Sequence, residues 1–248
     1  MLITLLSAKG SPGVTTAALA LAAEWPYTAV MIDADPSGGD VAAGLGRGSW
    51  PPASTLIGLA VEARHTPVEA ALRRLVVRPA AHCPLTLAGL TTPEQSAALP
   101  WQQLAVGFRA ISDADLLCDG GRYTPSDGVA SLLHASDHVV LVTRSALPPV
   151  RAVARLVPVL RDEVLAADCL LSILVVGGGR PYAASDIATN CGAALLGELP
   201  LDPRAAFVWS EGQSPRRGFG RSQLQRAARD IAARLASDQP AMAAEGLR

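Results

Sequence analysis

Lysine is almost missing from this chain. Among 248 residues and 21 basic side chains, Lys9 alone is lysine and the other 20 are arginine. A bias that strong implies pressure toward arginine, and one surviving lysine implies a position where arginine does not serve. A compact ammonium fits between phosphate oxygens where a planar guanidinium does not; the plain alternative is a stray lysine on a solvated turn. Aromatics are also scarce, at 4%, and with abundant alanine this favours helices packed closely on a sheet. Trp101 and Phe108 accordingly read as packing residues rather than as part of a cofactor site. The four cysteines, Cys83, Cys118, Cys169 and Cys191, form no CxxC pair and have no histidine at zinc spacing. That argues against a zinc module or a disulfide framework and fits reduced, buried thiols in a cytoplasmic protein. No run reaches about 18 apolar residues, so neither a spanning helix nor stable membrane insertion is expected. Residues 2–6 lack a basic lead and are too short for a signal core. The net charge of −1 gives no overall pull toward nucleic acid or anionic membrane. His65, His82, His134 and His138 stand at no spacing that suggests a nucleophile with its base.

What is present is apolar and alternating. Half of the residues are hydrophobic, enough for one large domain with a sizeable core. The most informative stretch is the first, MLITLLSAKGSPGVTT. Leu2–Leu6 is an apolar run, Ala8–Gly13 a turn, and Thr15–Ala23 an Ala/Leu-rich stretch. A buried strand, a glycine-bearing loop and a helix start in that order make an anion site. The first amides of a helix have no intrahelical partner, and the helix dipole favours negative charge there. Gly10 and Gly13 let the backbone curl without a Cβ in the way, and Thr15 or Thr16 offers a hydroxyl for Mg²⁺ or for a cap.

Two further stretches carry acid at the end of an apolar run. TAVMID, residues 28–33, reads as a second buried strand leading into IDADPSGGD. Carboxylates at i and i+2, Asp33 and Asp35, leave a strand toward the same side, which suits a shared metal–water site. The alternative is an Asx-rich turn punctuated by Pro36 and Gly38. DLLCDGGRY, residues 115–123, is an apolar run ending in Asp119 and two glycines.

The stretch KGSPGVTT resembles the deviant Walker A motif, KGGxGK[ST]T, of the ParA/MinD group of P-loop ATPases. Lys9 matches the signature lysine of that group, Gly10 and Gly13 two of its glycines, and Thr15 and Thr16 its hydroxyl pair. Ser11 replaces a glycine, Pro12 falls at a variable position, and Val14 stands where the general P-loop lysine belongs. IDADPSGGD is similar to the DxDPxG end of the family's second strand, and DLLCDGGRY to its Walker B strand. The resemblance implies ATP or ADP with Mg²⁺ as cofactors, held by residues 9–16. It implies Thr15, Asp33 and Asp119 around the metal, Asp35 orienting the attacking water, and Lys9 reaching the phosphates of a partner subunit.

The remaining chain alternates helical and apolar segments. Helices are expected over 54–64, 67–77, 94–111, 127–134, from Pro149 or Val150 to about Leu165, over 184–190, and from Pro203 and Arg221; residues 41–50 are expected to be irregular. Strands are expected over 85–90, 138–143 and 169–176, and in Ala194–Arg204, which resembles the family's last strand and the loop after it. Near-continuous apolar strands alternating with helices predict an α/β fold, a mostly parallel twisted sheet with helices on both faces. The expected organisation is a single P-loop NTPase-like domain over residues 1–236 and a disordered tail over 237–248. GGGRPY, residues 177–182, lacks the asparagine with which relatives read adenine. In the last helix Leu224, Ala227, Ala228, Ile231 and Leu235 share one face; Arg216, Arg217, Arg221, Arg226 and Arg229 fit either solvent or nonspecific DNA, and the apolar face fits the sheet or a membrane surface.

Val14 supplies neither charge nor donor, so the implied protein binds nucleotide weakly and hydrolyses it slowly or not at all. The resemblance implies a positioning or partitioning switch that forms a homodimer on nucleotide and carries a protein cargo or assembly factor. Two alternatives stay open: a non-hydrolysing scaffold for a secretion, pilus or septum assembly, as in the CpaE/TadZ-type relatives, and an enzyme of the same superfamily. An iron–sulfur reductase would need paired cysteines at a dimer axis, and Cys118 lies instead inside the Walker B-like strand.

Overall fold

A computed structural model of the protein describes residues 1–125 and 128–237. In chain order the elements are β1 (Leu2–Ser7), α1 (Val14–Ala23), β2 (Ala29–Asp33), α2 (Val41–Gly46), α3 (Leu56–Glu62), α4 (Val68–Leu75), β3 (Leu85–Leu87), α5 (Trp101–Arg109), β4 (Asp115–Arg122), α6 (Val129–Ala135), β5 (His138–Arg144), α7 (Leu147–Val159), β6 (Leu170–Val176), α8 (Ala184–Cys191), β7 (Ala194–Leu199), α9 (Pro203–Ser210) and α10 (Gln223–Ser237). The seven strands form one sheet in the order β3-β2-β4-β1-β5-β6-β7, and every pairing between them is parallel.

Parallel strands need crossovers, and here the crossovers cover both faces. Alternate residues of a strand point to opposite sides, so Leu2 and Leu6 of β1 pack with α3–α8, while Ile3 and Leu5 pack with α1, α2, α9 and α10. The expected fold class therefore holds, including the last helix: Leu224, Ala228, Ile231 and Leu235 of α10 are buried against the second face, and Arg229 pairs with Glu24 at 2.7 Å. Among the described residues no helix is long and apolar enough to cross a membrane.

Local differences from the sequence reading have physical causes. Residues 41–50 are not wholly irregular, because Val41–Gly46 is helical; Gly44 sits where a Cβ would lie 2.5 Å from the Ser210 carbonyl, so its glycine serves close packing on α9. The helix expected over 94–111 is two pieces, a 3₁₀ segment Pro93–Ala98 and then α5, separated by Pro100, which has no amide to continue a helix. α7 starts at Leu147, with proline tolerated in its first turn, and beyond Pro158 it loosens into a π-helical turn, Leu160–Val164. The tail expected from Ser237 onward falls outside the described residues beyond that position, as does Asp127 at the start of the expected 127–134 helix.

Strand order also fixes where a ligand belongs. From β1 the chain moves to β2 and β3 on one side, returns to β4 beside β1, and then builds β5–β7 on the other side. Open α/β sheets bind ligands outside the carboxyl ends of strands at such a switch point. All three motifs named above leave β1, β2 and β4 at that end.

Candidate functional site

β1 ends at Ser7, and the chain turns through a loop with Gly10 at φ 73° and Gly13 at φ 101°, both in the left-handed region. α1 opens at Val14, and the Gly13 carbonyl already accepts from Ala17 N at 2.9 Å. The amides of the first turn thus face the loop with no intrahelical partner. Ser7 Oγ lies 3.4 Å from the carbonyls of both Gly10 and Gly121, tying the loop to the end of β4.

β4 runs past Asp119 to Arg122, with the β1–β4 register shifted between Leu5 and Ser7 and Gly121 at φ 62°. Asp119 lies just before this bulge, in register with Leu5. Thr15 Oγ1 donates to Asp119 Oδ2 at 2.5 Å, and Gly121 N donates to Oδ1 at 2.9 Å. Burial raises the Asp119 pKa to about 6, against the opposing hydrogen bonds from Thr15 and Gly121, with Asp35 and Asp40 raising it further. Among the described residues Asp119 has no ion-pair partner.

Asp33 is the Cα partner of Asp119 in the β2–β4 ladder. It is 1% exposed, with the Val41 and Asp35 amides within 3.4 and 3.5 Å of its carboxylate. A side chain at Gly39 or Gly89 would run into that carboxylate. Burial first, and the Asp119 charge second, push its pKa well up. Asp35 is half-buried, accepts from Ser37 N at 2.8 Å, and lies against Gly121 with no room for a Cβ between them.

Above these groups lies a cleft of about 540 Å³, within the range of small-molecule sites. Its walls are Gly10–Thr16, then Asp35 and Asp40 after β2, Gly121 and Arg122 at the end of β4, and Trp209–Glu211 at the end of α9. Of the residues singled out from sequence, Gly10, Ser11, Pro12, Gly13, Val14, Thr15, Thr16 and Asp35 line it. Asp119 sits beneath, joined to it through Thr15. Asp33, beside Asp119 in the ladder, is not part of the wall, and its carboxylate faces the Asp35 and Val41 amides of the chain after β2. Lys9 is exposed and is not part of the wall. Val14 is 7% exposed and packs among Ile3, Leu5 and Ala17 in the core. Arg216, Arg217, Arg221 and Arg226 are exposed.

The donor set suits a hard divalent cation. Thr15 hydroxyl and Asp119 carboxylate are adjacent oxygens beside a helix start, the kind of partial set that Mg²⁺ completes with water and phosphate oxygens. Among the described residues no group of three or more His, Cys, Asp or Glu side chains is arranged to hold a metal without such help. Cys118 is fully buried and its thiol is pushed far up by that burial, so it offers no metal-binding thiolate. Sequence reasoning missed Ser7, Asp40, Arg122 and Trp209–Glu211. Asp40 and Arg122 were inside stretches already noted, but only the β1–β4 pairing and the α2–α9 packing bring them to the cleft.

No family model matches the chain, and no curated protein matches it in sequence. Solved structures do. The cell division ATPase MinD of Pyrococcus furiosus superposes with TM-score 0.75 at 19% identity, covering 95% of this chain and 98% of that one. A ParA family ATPase from Chlorobium tepidum gives 0.74 at 16% identity over 94% and 98%. MinD of Pyrococcus horikoshii, solved with Mg-ADP, gives 0.72 at 19% identity over 94% and 95%. With a seven-stranded all-parallel sheet and near-complete mutual coverage, this chain has the fold of the ParA/MinD ATPases.

Proposed function

We propose that the protein is a nucleotide-binding switch of the ParA/MinD kind, taking ATP or ADP with Mg²⁺ and dimerising in a nucleotide-linked way to position a protein cargo. The observation that carries this reading is the Thr15–Asp119 hydrogen bond at the foot of the Gly10–Gly13 loop. It unites two residues 104 positions apart at a helix start, beside unpartnered amides. In the bound state those amides hold the phosphate oxygens, Thr15 and Asp119 hold the metal, and Asp35 orients water at the cleft mouth. Mg²⁺ supplies neutralisation of phosphate charge when bound.

Hydrolysis is weak or absent in this reading. A P-loop lysine gives charge-assisted hydrogen bonds worth about 1.5–3 kcal/mol each, and losing one transition-state donor costs about 10²–10³ in rate. Val14 provides none, and its side chain belongs to the core. Lys9, exposed beside the cleft, is free to reach a second subunit. The same burial of Val14 favours a second reading, a pseudo-ATPase that keeps the fold as a scaffold for an assembly. Titrating ATP and Mg²⁺ while following molecular mass separates them. The switch predicts a monomer–dimer shift on nucleotide; unchanged mass together with no calorimetric binding supports the scaffold.

A further inference from the structure

The residues lining the cleft include three acids, Asp35, Asp40 and Glu211, and one cation, Arg122. Among the described residues, an anionic ligand entering there meets unfavourable charge from every ionised side chain in the wall except that one. Arg122 is not placed by chance of a loop. It is the last residue of β4 and the Cα partner of Ser7, the residue that launches the glycine loop, and the next amide, Tyr123 N, donates to the Ser7 carbonyl at 2.9 Å. Ser7 Oγ reaches both the Gly10 and Gly121 carbonyls, so the backbone carrying Arg122 and the loop opposite it are stitched together. The Arg122 side chain is exposed, and among the described residues it makes no hydrogen bond or ion pair, with acids on the same wall.

The helix start, by contrast, carries no basic side chain. Val14 is packed among core side chains of β1 and α1, and its position is committed to burial. We propose that Arg122 does the work of the missing P-loop lysine, binding the terminal phosphates of the nucleotide from the strand side of the cleft. The inference rests on the nucleotide-binding reading above. An arginine suits this station: its planar fork takes two phosphate oxygens at once, and it keeps its charge at any working pH. Lys9 is then spared for a partner subunit and makes no contribution to binding within one subunit.

The test is calorimetry of Mg-ADP and of Mg-pyrophosphate with the full chain. Wild type is compared with Arg122→Ala, Arg122→Gln, Arg122→Lys and Lys9→Ala. Loss of one such clamp is expected to weaken binding of both ligands by about 10–100-fold. Arg122→Lys is expected to recover part of the loss. Lys9→Ala is expected to weaken binding only at protein concentrations where a dimer forms. Thermal melts of the unliganded Arg122 variants should match wild type, since the side chain is exposed and bonds to nothing among the described residues. A wild type that binds neither ligand overturns the nucleotide reading and this one together. A wild type that binds, with Arg122→Ala and Arg122→Gln equally tight or with the loss seen only in Lys9→Ala, leaves the nucleotide site standing and overturns the role of Arg122.

Discussion

Two aspartates four residues apart on β4 stand at opposite ends of the sheet and are treated oppositely. Asp115, at the amino end, accepts from the Met1 ammonium and from the Trp25 indole, each at 2.8 Å. Asp119, at the carboxyl end, is also buried but among the described residues is met only by a hydroxyl and an amide, with two further acids raising its pKa. The first is a carboxylate neutralised by its own protein. The second is a carboxylate buried without a cation among the described residues, which costs stability that a proton or an external cation recovers. Burial alone does not distinguish a structural acid from a site acid; the charge of the partners does. Asp33, beside Asp119, sharpens the point, since among the described residues its hydrogen-bond partners are amides alone and its pKa is also raised.

The comparison breaks most visibly at Asp115. Asp115→Asn leaves a buried ammonium without its counter-ion, and removing one member of a buried pair costs about 3–5 kcal/mol. For a domain of this size that lowers Tm by roughly 10 °C, read by circular dichroism or calorimetry. A loss under 1 kcal/mol would mean that the pair contributes no more than a surface pair.

Asp119→Asn is expected to act in the opposite direction on the unliganded protein. An amide keeps an oxygen for the Gly121 N–H and offers its NH₂ to the Thr15 hydroxyl, so no partner is orphaned. The native pKa, about 6 against an unfolded value of 3.8, means that the native state holds a proton which the unfolded state has released between those limits. Wild-type stability attributable to Asp119 is therefore fully present below about pH 4 and is lost as pH rises through about 6. A shift of that size corresponds to about 2–3 kcal/mol. Urea melts should show Asp119→Asn more stable than wild type by about that amount at pH 8, with the gap closing toward pH 4. Added Mg²⁺ and ADP should stabilise wild type and not the variant. A variant less stable than wild type at pH 8 would place Asp119 with Asp115 as a structural acid.

How much of this was open to a reader of the chain follows from what each feature rests on. The sheet and its crossovers were legible because near-continuous apolar runs such as TAVMID and CLLSILVV admit few other structures once helical spacing separates them. That the loop, Thr15, Asp35 and Asp119 lie together was legible because glycines, hydroxyls and acids at strand ends are local in sequence. Arg122 was not, since nothing local distinguishes it from the other 19 arginines; only the register of β4 on β1 sets it across from Ser7. Nor was the retreat of Asp33 from the cleft, which depends on Gly39 and Gly89 closing over its carboxylate from two separate loops. The helix at 41–46 was hidden because Gly44 reads as a breaker locally and becomes a packing residue only against Ser210.

The smallest effect lies on α10, where an ion pair resembles that of Asp115 in kind but not in setting. Arg229 reaches Glu24 at 2.7 Å, yet its side chain is 52% exposed, so solvent screens the pair and the expected worth is about 0.5 kcal/mol or less. Arg229→Ala should leave the melting curve almost unmoved, in contrast to Asp115→Asn, because water replaces the lost guanidinium at one end and nothing replaces the lost carboxylate at the other. Glu24 also takes the Gln225 amide, which in turn accepts the Trp209 indole, so the buried part of this network survives the substitution. Arg216, Arg217, Arg221 and Arg226 make no ion pair among the described residues and stand in the same solvent. If they serve DNA, replacing all four with alanine should lower the salt dependence of binding to a mixed-sequence duplex by about four phosphate contacts' worth, while Arg229→Ala leaves it nearly unchanged. A drop of about one contact for Arg229→Ala would show that its charge is shared with DNA rather than held by Glu24.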